Sequence, residues 1–264
     1  MRLRVILIRG RDYEEGEYSL SLFEQAAGKL MVALDYPSAE QARELINKLE
    51  GIPCYMKVGM QLSYSAGPDF IRELKSLGYS VFLDLKMHDI PNTVKGGAHS
   101  ITRLGVDMFN VHAAGGKKMM AAAKDGVLEA LNEDSSLTMP IVIGVTQLTS
   151  TNQETLNQEI GIPGTVEQAV LSYASGTKEA GLDGVVASPL EVQAIKEKCG
   201  QHFITVTPGI RPAGSDKGDQ SRTLTPEEAI RQGTDYIVVG RPITAAPDPR
   251  SAAQQIIEEM KKAW

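Results

Sequence analysis

Cysteine is nearly absent. Cys54 and Cys199 are the only two in 264 residues, and they stand in no paired motif. That argues against a disulfide scaffold and against a cysteine-based zinc site, and it fits a reducing compartment. Positive charge is not in excess: the net charge is −6. No basic surface invites nucleic acid or an anionic membrane, so an anionic substrate requires a local basic pocket. No apolar stretch approaches the roughly 18 residues of a membrane-spanning helix. The run Val5-Ile6-Leu7-Ile8 is too short for a signal-peptide core and is closed by Arg9. These absences predict a cytoplasmic protein. His88, His99, His112 and His202 show no ligand spacing, so no metal is expected.

What is present is an alternation. From Leu30 onward an apolar strand, a polar turn and an amphipathic helix recur. The strands are predicted over Leu30–Asp35, Cys54–Gly59, Tyr79–Lys86, Val106–His112, Pro140–Thr146, Gly184–Ser188, Phe203–Pro208 and Asp235–Gly240. The helices are predicted over Ser38–Leu49, Ala66–Leu77, Thr93–Leu104, Gly116–Leu131, Thr165–Ala180, Pro189–Lys198, Pro226–Gln232 and Pro249–Lys262. Ser38 and Thr225 suit N-caps, and glycines such as Gly105, Gly181 and Gly233 follow helices, where a left-handed cap favours them. Eight such units predict a single (β/α)8 barrel over residues 28–264. An open doubly wound sheet is the alternative, but no dinucleotide-type glycine turn follows Asp35. Met1–Ala27 lacks clear periodicity and reads as a leader outside the core, either disordered or packed on the surface. The internal similarity reads as architectural, without a sequence repeat.

The third strand carries an unusual load. Side chains alternate along a strand, so Phe82, Asp84 and Lys86 share one face and Val81, Leu83 and Leu85 the other. Asp89 follows just beyond. The cluster reads either as an ion pair closing a strand or as a functional site. In a barrel of this kind the site lies at the C-terminal ends of the strands. Polar residues do gather there: Asp35, Lys57, Asp84, Lys86, Asn110, His112, Thr146, Gln147, Thr149, Thr207, Arg211 and Arg241. A rim of Asp35, Lys57, Asp84, Lys86 and Asp89 is hard to explain without a ligand.

The last two loops suit an anion. The loop from Thr207 to Gln220 is rich in glycine and proline and offers Arg211 and Gln220 as donors. After the eighth strand, Gly240 lets backbone approach an oxyanion and Arg241 supplies a planar fork. Barrels often bind phosphate at these two places. Lys86, flanked by carboxylates, is a poor Schiff-base nucleophile but a good proton donor.

With Asp84-Leu85-Lys86-Met87-His88-Asp89-Ile90-Pro91-Asn92-Thr93 in view, the chain resembles the orotidine 5′-phosphate decarboxylase family. Val32-Ala33-Leu34-Asp35-Tyr36, Lys57-Val58-Gly59, Asn110-Val111-His112-Ala113, Val145-Thr146-Gln147-Leu148-Thr149-Ser150, Val206-Thr207-Pro208-Gly209-Ile210-Arg211-Pro212, Gly218-Asp219-Gln220 and Val239-Gly240-Arg241-Pro242 match it as well. The resemblance implies cofactor-free conversion of orotidine 5′-phosphate to uridine 5′-phosphate and carbon dioxide. It implies Lys86 as proton donor, Asp84 beside the departing carboxylate, and Lys57 and Asp89 completing a charge network. It assigns Asp35 and Lys57 to the ribose and Thr149 to the pyrimidine. Arg211, Gln220, Gly240 and Arg241 fall to the phosphate. Asp89 and Thr93 would come from the partner subunit of a homodimer with shared sites. The alternatives are a magnesium-dependent sugar-phosphate decarboxylase or aldolase of the same barrel superfamily, and a barrel that binds a nucleotide without catalysis.

Overall fold

The computed structural model describes residues 2–4, 17–213 and 223–264. Eight parallel strands close into a barrel, each paired with its sequence neighbours and the last with the first. They are Leu30–Ala33, Tyr55–Gly59, Ser80–Met87, Met108–His112, Ile141–Val145, Gly184–Val186, Ile204–Thr207 and Tyr236–Val239. All eight fall at the predicted places, mostly trimmed at their ends. Inward positions form layers. Tyr55 and Tyr236 meet edge to face near the N-terminal mouth, at 5.6 Å between ring centres. Met31, Phe82, Met108, Ile143 and Val206 fill the middle. The opposite faces, such as Val32, Met56, Val81, Leu83, Phe109 and Val111, pack under the helices. Both faces are buried, which is why these strands read as continuous apolar runs.

Three differences from the sequence reading have local causes. The second barrel helix begins at Met60, not Ala66, and runs to Ser76 with a break at Gly67, whose φ is 71°. Pro68 then starts a second segment. The helix predicted from Pro189 opens as a 3-10 turn, Pro189–Glu191, capped by Ser188, before the helix Val192–Cys199. The leader is not wholly outside the core. Leu22–Ala27 is a helix, closed at its start by a reciprocal Ser21–Glu24 capping box, and Ala26 and Ala27 are fully buried. Its small side chains let it lie against the C-terminal helix Pro249–Lys261. Arg2–Arg4 and Glu17–Ser19 pair as a short antiparallel ribbon.

A sequence repeat does exist, at the N-terminal mouth. Gly105-Val106-Asp107, Gly181-Leu182-Asp183 and Gly233-Thr234-Asp235 each precede an even-numbered strand. Each aspartate accepts the backbone N–H of the preceding strand, from Val81, Val142 or Thr205, at 2.7 to 2.8 Å. Each is also paired with a lysine from the helix before that strand: Lys75, Lys124 or Lys196. The fourth register-equivalent position, opposite Leu30, is Cys54. Burial pushes its thiol up to about 12, so it carries no charge.

The three clamps are not equal in cost. Lys196 is 5% exposed and also donates to the carbonyls of Gln201 and Phe203, whereas the Lys75 and Lys124 side chains are 29% and 22% exposed. Asp235→Ala is expected to lose about 3–5 kcal/mol, because it strands a buried ammonium. Asp107→Ala is expected to lose less, about 1–2 kcal/mol. Chemical denaturation of both variants measures the order, and equal losses would contradict it.

Candidate active site

At the C-terminal mouth the inward layers turn from apolar to charged. Lys57 stands above Tyr55 on the second strand, and Asp84 above Phe82 on the third. Lys57 Nζ lies 2.8 Å from Asp35 Oδ1 and 3.7 Å from Asp84 Oδ2. Lys86 Nζ donates to Asp84 Oδ1 at 2.7 Å. The result is an alternating row, Asp35, Lys57, Asp84, Lys86, laid across three neighbouring strand ends. Exposure falls and then rises along it: the side chains are 64%, 9%, 13% and 27% exposed.

Asp84 is the pivot. Burial acts to raise its carboxyl pKa, but the charges of Lys57 and Lys86, with hydrogen bonds from Lys86 and Asn110, outweigh it. Its pKa therefore lies below the ordinary carboxylate value. His112, one inward step above Asn110, is pushed down by burial and by the nearby His88 and Lys86, with Asp84 opposing. The His88 and His112 ring centres are 5.7 Å apart.

Lys86 has the only positive φ outside glycine among the described residues, 52°. That conformation costs a non-glycine residue about 1–2 kcal/mol. The strand pairing shifts register at the same place: Leu83 pairs with Phe109, but Met87 pairs with Val111. Asp84, Leu85 and Lys86 thus stand opposite the single residue Asn110. The bulge re-aims the strand end where the row needs it.

A cavity of about 500 Å³ opens over the row. Asp35, Lys57, Asp84, Lys86, Thr149, Arg211, Gly240 and Arg241, all named in the sequence reading, line it. Gln220 lies outside the described residues. Asp89 and Thr93 do not line the cavity and are exposed on the surface. Asp89 Oδ1 accepts the Ile90 N–H at 2.6 Å. Gln147, Leu148 and Ser150, named in the sequence but given no role there, join Thr149 at the rim. Asn110 was likewise named at a strand end without a role; it is 1% exposed, its Nδ2 donates to Asp84 Oδ1 at 2.7 Å and its Oδ1 accepts the Lys86 N–H at 2.8 Å. Its inward parity with Met108 and His112 was visible in the sequence.

A model of the orotidine 5′-phosphate decarboxylase / HUMPS family matches residues 28–256. The chain belongs to this family. The orotidine 5′-phosphate decarboxylase of Moorella thermoacetica is 52% identical over 239 residues, 89% of this chain and 93% of that one. Its counterpart in Bacillus cytotoxicus is 51% identical over 235 residues, covering 89% and 96%. Among solved structures, the orotidine 5′-phosphate decarboxylase of Lactobacillus acidophilus has 43% identity and a TM-score of 0.79, covering 88% of this chain and 98% of that one. An uncharacterized conserved protein from Geobacillus kaustophilus has 43% identity and a TM-score of 0.77, covering 88% and 99%. The match begins just after the short helix Leu22–Ala27, so the charged row and all eight barrel strands fall within it.

Because Asp84 has a lower pKa folded than unfolded, the stability it contributes is complete above the ordinary carboxylate range. It is lost as pH falls through the depressed folded value. Asp84→Asn is expected to cost about 2 kcal/mol at pH 7. Relative to the parent protein, that cost should shrink as pH drops below about 4. Denaturant titrations of both proteins across this range measure it, and a constant difference would show that the charge is not what stabilises.

Proposed function

We propose that this chain converts orotidine 5′-phosphate to uridine 5′-phosphate and carbon dioxide, the last step of de novo pyrimidine synthesis. One observation carries this reading: the row Asp35, Lys57, Asp84, Lys86 lines the same cavity as Arg211, Gly240 and Arg241. A charged row suited to a carboxylate thus shares one space with donors suited to a phosphate. Family membership supports the same activity.

In the reaction the bond from the ring carbon to the carboxylate breaks. Carbon dioxide departs, and the bonding electron pair stays on the ring carbon. Lys86 Nζ supplies the proton that this carbon takes up. Its ammonium is already in place where negative charge develops, so no reorganisation is required at that moment. Asp84 sits beside the departing carboxylate. Lys57 fixes Asp84 and, with Asp35, addresses the ribose. Thr149 meets the pyrimidine, and Arg211, Gln220, Gly240 and Arg241 hold the phosphate. Phosphate binding far from the ring can be used to organise the row in the transition state.

The active unit on this reading is a cytoplasmic homodimer. Asp89 and Thr93 serve the neighbouring subunit's site. Supporting this, both are exposed, both lie outside their own cavity, and Ile90 between them is 67% exposed. The sugar-phosphate alternative needs carboxylates free to share a magnesium ion. Here Lys57 Nζ stands between Asp35 and Asp84, the two carboxylates that could do so.

Loss of orotidine 5′-phosphate absorbance, followed after exhaustive chelation, is expected to show full activity. No decay at micromolar enzyme, or decay only on adding magnesium, would overturn the proposal. Lys86→Ala is expected to lower turnover by roughly 10³-fold or more while a uridine nucleotide still binds. The shared site has its own test. Lys86→Ala and Asp89→Ala proteins, each impaired alone, are mixed and allowed to exchange subunits. Hybrid dimers then hold one intact site, so roughly a quarter of parent activity should return in a statistical mixture. No recovery, with exchange demonstrated, would place Asp89 outside the neighbour's site.

A further inference from the structure

We infer that Asn110 is a positioning residue for the decarboxylation. Its one side-chain amide sets both the backbone turn that aims Lys86 and the orientation of Asp84. The inference rests on the decarboxylase reading and concerns a residue that does not line the cavity.

Three observations converge on this side chain. The first is the register. Asp84, Leu85 and Lys86 bulge opposite Asn110, so this stretch of the third strand departs from regular pairing with the fourth. The Asn110 side chain, not a strand backbone, accepts the Lys86 N–H. The second is the strain. Lys86 holds φ at 52°, a conformation that must be held by its surroundings. The bond from its own N–H to Asn110 Oδ1, at 2.8 Å, is the fixed point nearest to that turn. The third is the chemistry of the amide. A carboxylate only accepts, so the amide's NH2 end must face Asp84 and its carbonyl end must face the Lys86 N–H. The observed bonds follow that order, at 2.7 and 2.8 Å. Asparagine supplies one donor and one acceptor at this spacing. Aspartate can supply only the acceptor, and alanine neither.

Asn110 is 1% exposed. Its fourth strand, Met108–His112, pairs on its other side with Ile141–Val145 in unbroken register. It is therefore held by a regular ladder while the bulged third strand leans on it. Lys86 Nζ and Asn110 Nδ2 both donate to Asp84 Oδ1. Loss of the amide would free the carboxylate to rotate and the ammonium to follow it. Substrate phosphate contacts, on other strands, would be untouched.

The test compares Asn110→Ala and Asn110→Asp with the parent protein. In Asn110→Ala, kcat is expected to fall about 100-fold while KM stays within about 3-fold, as for a misplaced reacting group with intact binding. Asn110→Asp keeps the shape and adds a negative neighbour to Asp84. The groups facing Asp84 are Lys57 on the second strand, Lys86 on its own strand and His112 on the fourth. A further carboxylate raises the pH at which Asp84 takes up a proton, so the acid limb of kcat/KM against pH should move up by about one unit. A purely structural role would lower stability without the split between kcat and KM in Asn110→Ala. Parent-like kcat in folded Asn110→Ala, or an unmoved acid limb in Asn110→Asp, would overturn the inference. If circular dichroism shows Asn110→Ala to be unfolded, the isosteric aspartate variant decides alone. A parent protein with no turnover at all would instead defeat the decarboxylase reading.

Discussion

A carboxylate held between two ammonium groups is the constraint on which the catalytic end depends. Asp84 is largely removed from water, and a lone buried carboxylate would take up a proton. Lys57 and Lys86 prevent that, and each is in turn held by Asp84. Neither charge is placed independently, because each lies where the others make its desolvation tolerable. The row therefore needs three strands in register, and a closed barrel provides them. The inward parity of Lys57 and of Asp84 follows from alternation. Their meeting follows from the pairing of Gly59 with Asp84, which places Lys57 two residues lower on the adjacent strand.

The two mouths of the barrel use the same pair of residue types for opposite ends. At the N-terminal mouth each clamp aspartate has one lysine and one strand N–H, and the arrangement is closed on itself. At the C-terminal mouth Asp84 has two lysines and a side-chain amide, and the Lys86 side chain remains 27% exposed toward the cavity. The first pattern ties a helix to the floor of the sheet. The second leaves an ammonium anchored yet available. Cys54 marks where the first pattern lapses, and there a cavity is lined by Phe23 and Glu24 of the Leu22–Ala27 helix together with Ile52, Pro53 and Tyr79. The leader helix thus borders the segment that leads into Cys54.

The barrel was legible because both faces of each strand are apolar and the polar exceptions lie at one end. The row was legible because parity survives small errors in strand boundaries. Lys86 and Asp84 keep the same face whether the strand ends at Lys86 or at Met87. What parity could not convey is register. Asn110 opposite a three-residue bulge, the clamp aspartates opposite Val81, Val142 and Thr205, and Cys54 in the fourth such place are relations between strands. The break at Gly67 and the buried Leu22–Ala27 helix were missed for a different reason. In a short helix a capping box and two alanines carry little periodic signal, and a Gly-Pro step reads equally as a start or a break.

The row has two unequal ends. Asp35 closes one and faces solvent. At the other, Lys86 has Asp84 behind it, while the next carboxylate in sequence, Asp89, is turned outward and engaged with the Ile90 N–H. The chain leaves the third strand with Met87 and enters a helix at Pro91, so three residues carry the turn. In its own chain Asp89 is exposed, lies outside the cavity and accepts the Ile90 N–H just before Pro91 at the helix start. A carboxylate for the open end is therefore more readily supplied from outside the chain than from within it. Ile90, 67% exposed beside Asp89, gives a second copy an apolar reason to dock there, since burying such a side chain is worth about 1.5–3 kcal/mol. On the proposed homodimer, the contact that covers Ile90 and the contact that completes the charge row are a single event. On that proposal, association does more than stabilise the fold: it finishes the site.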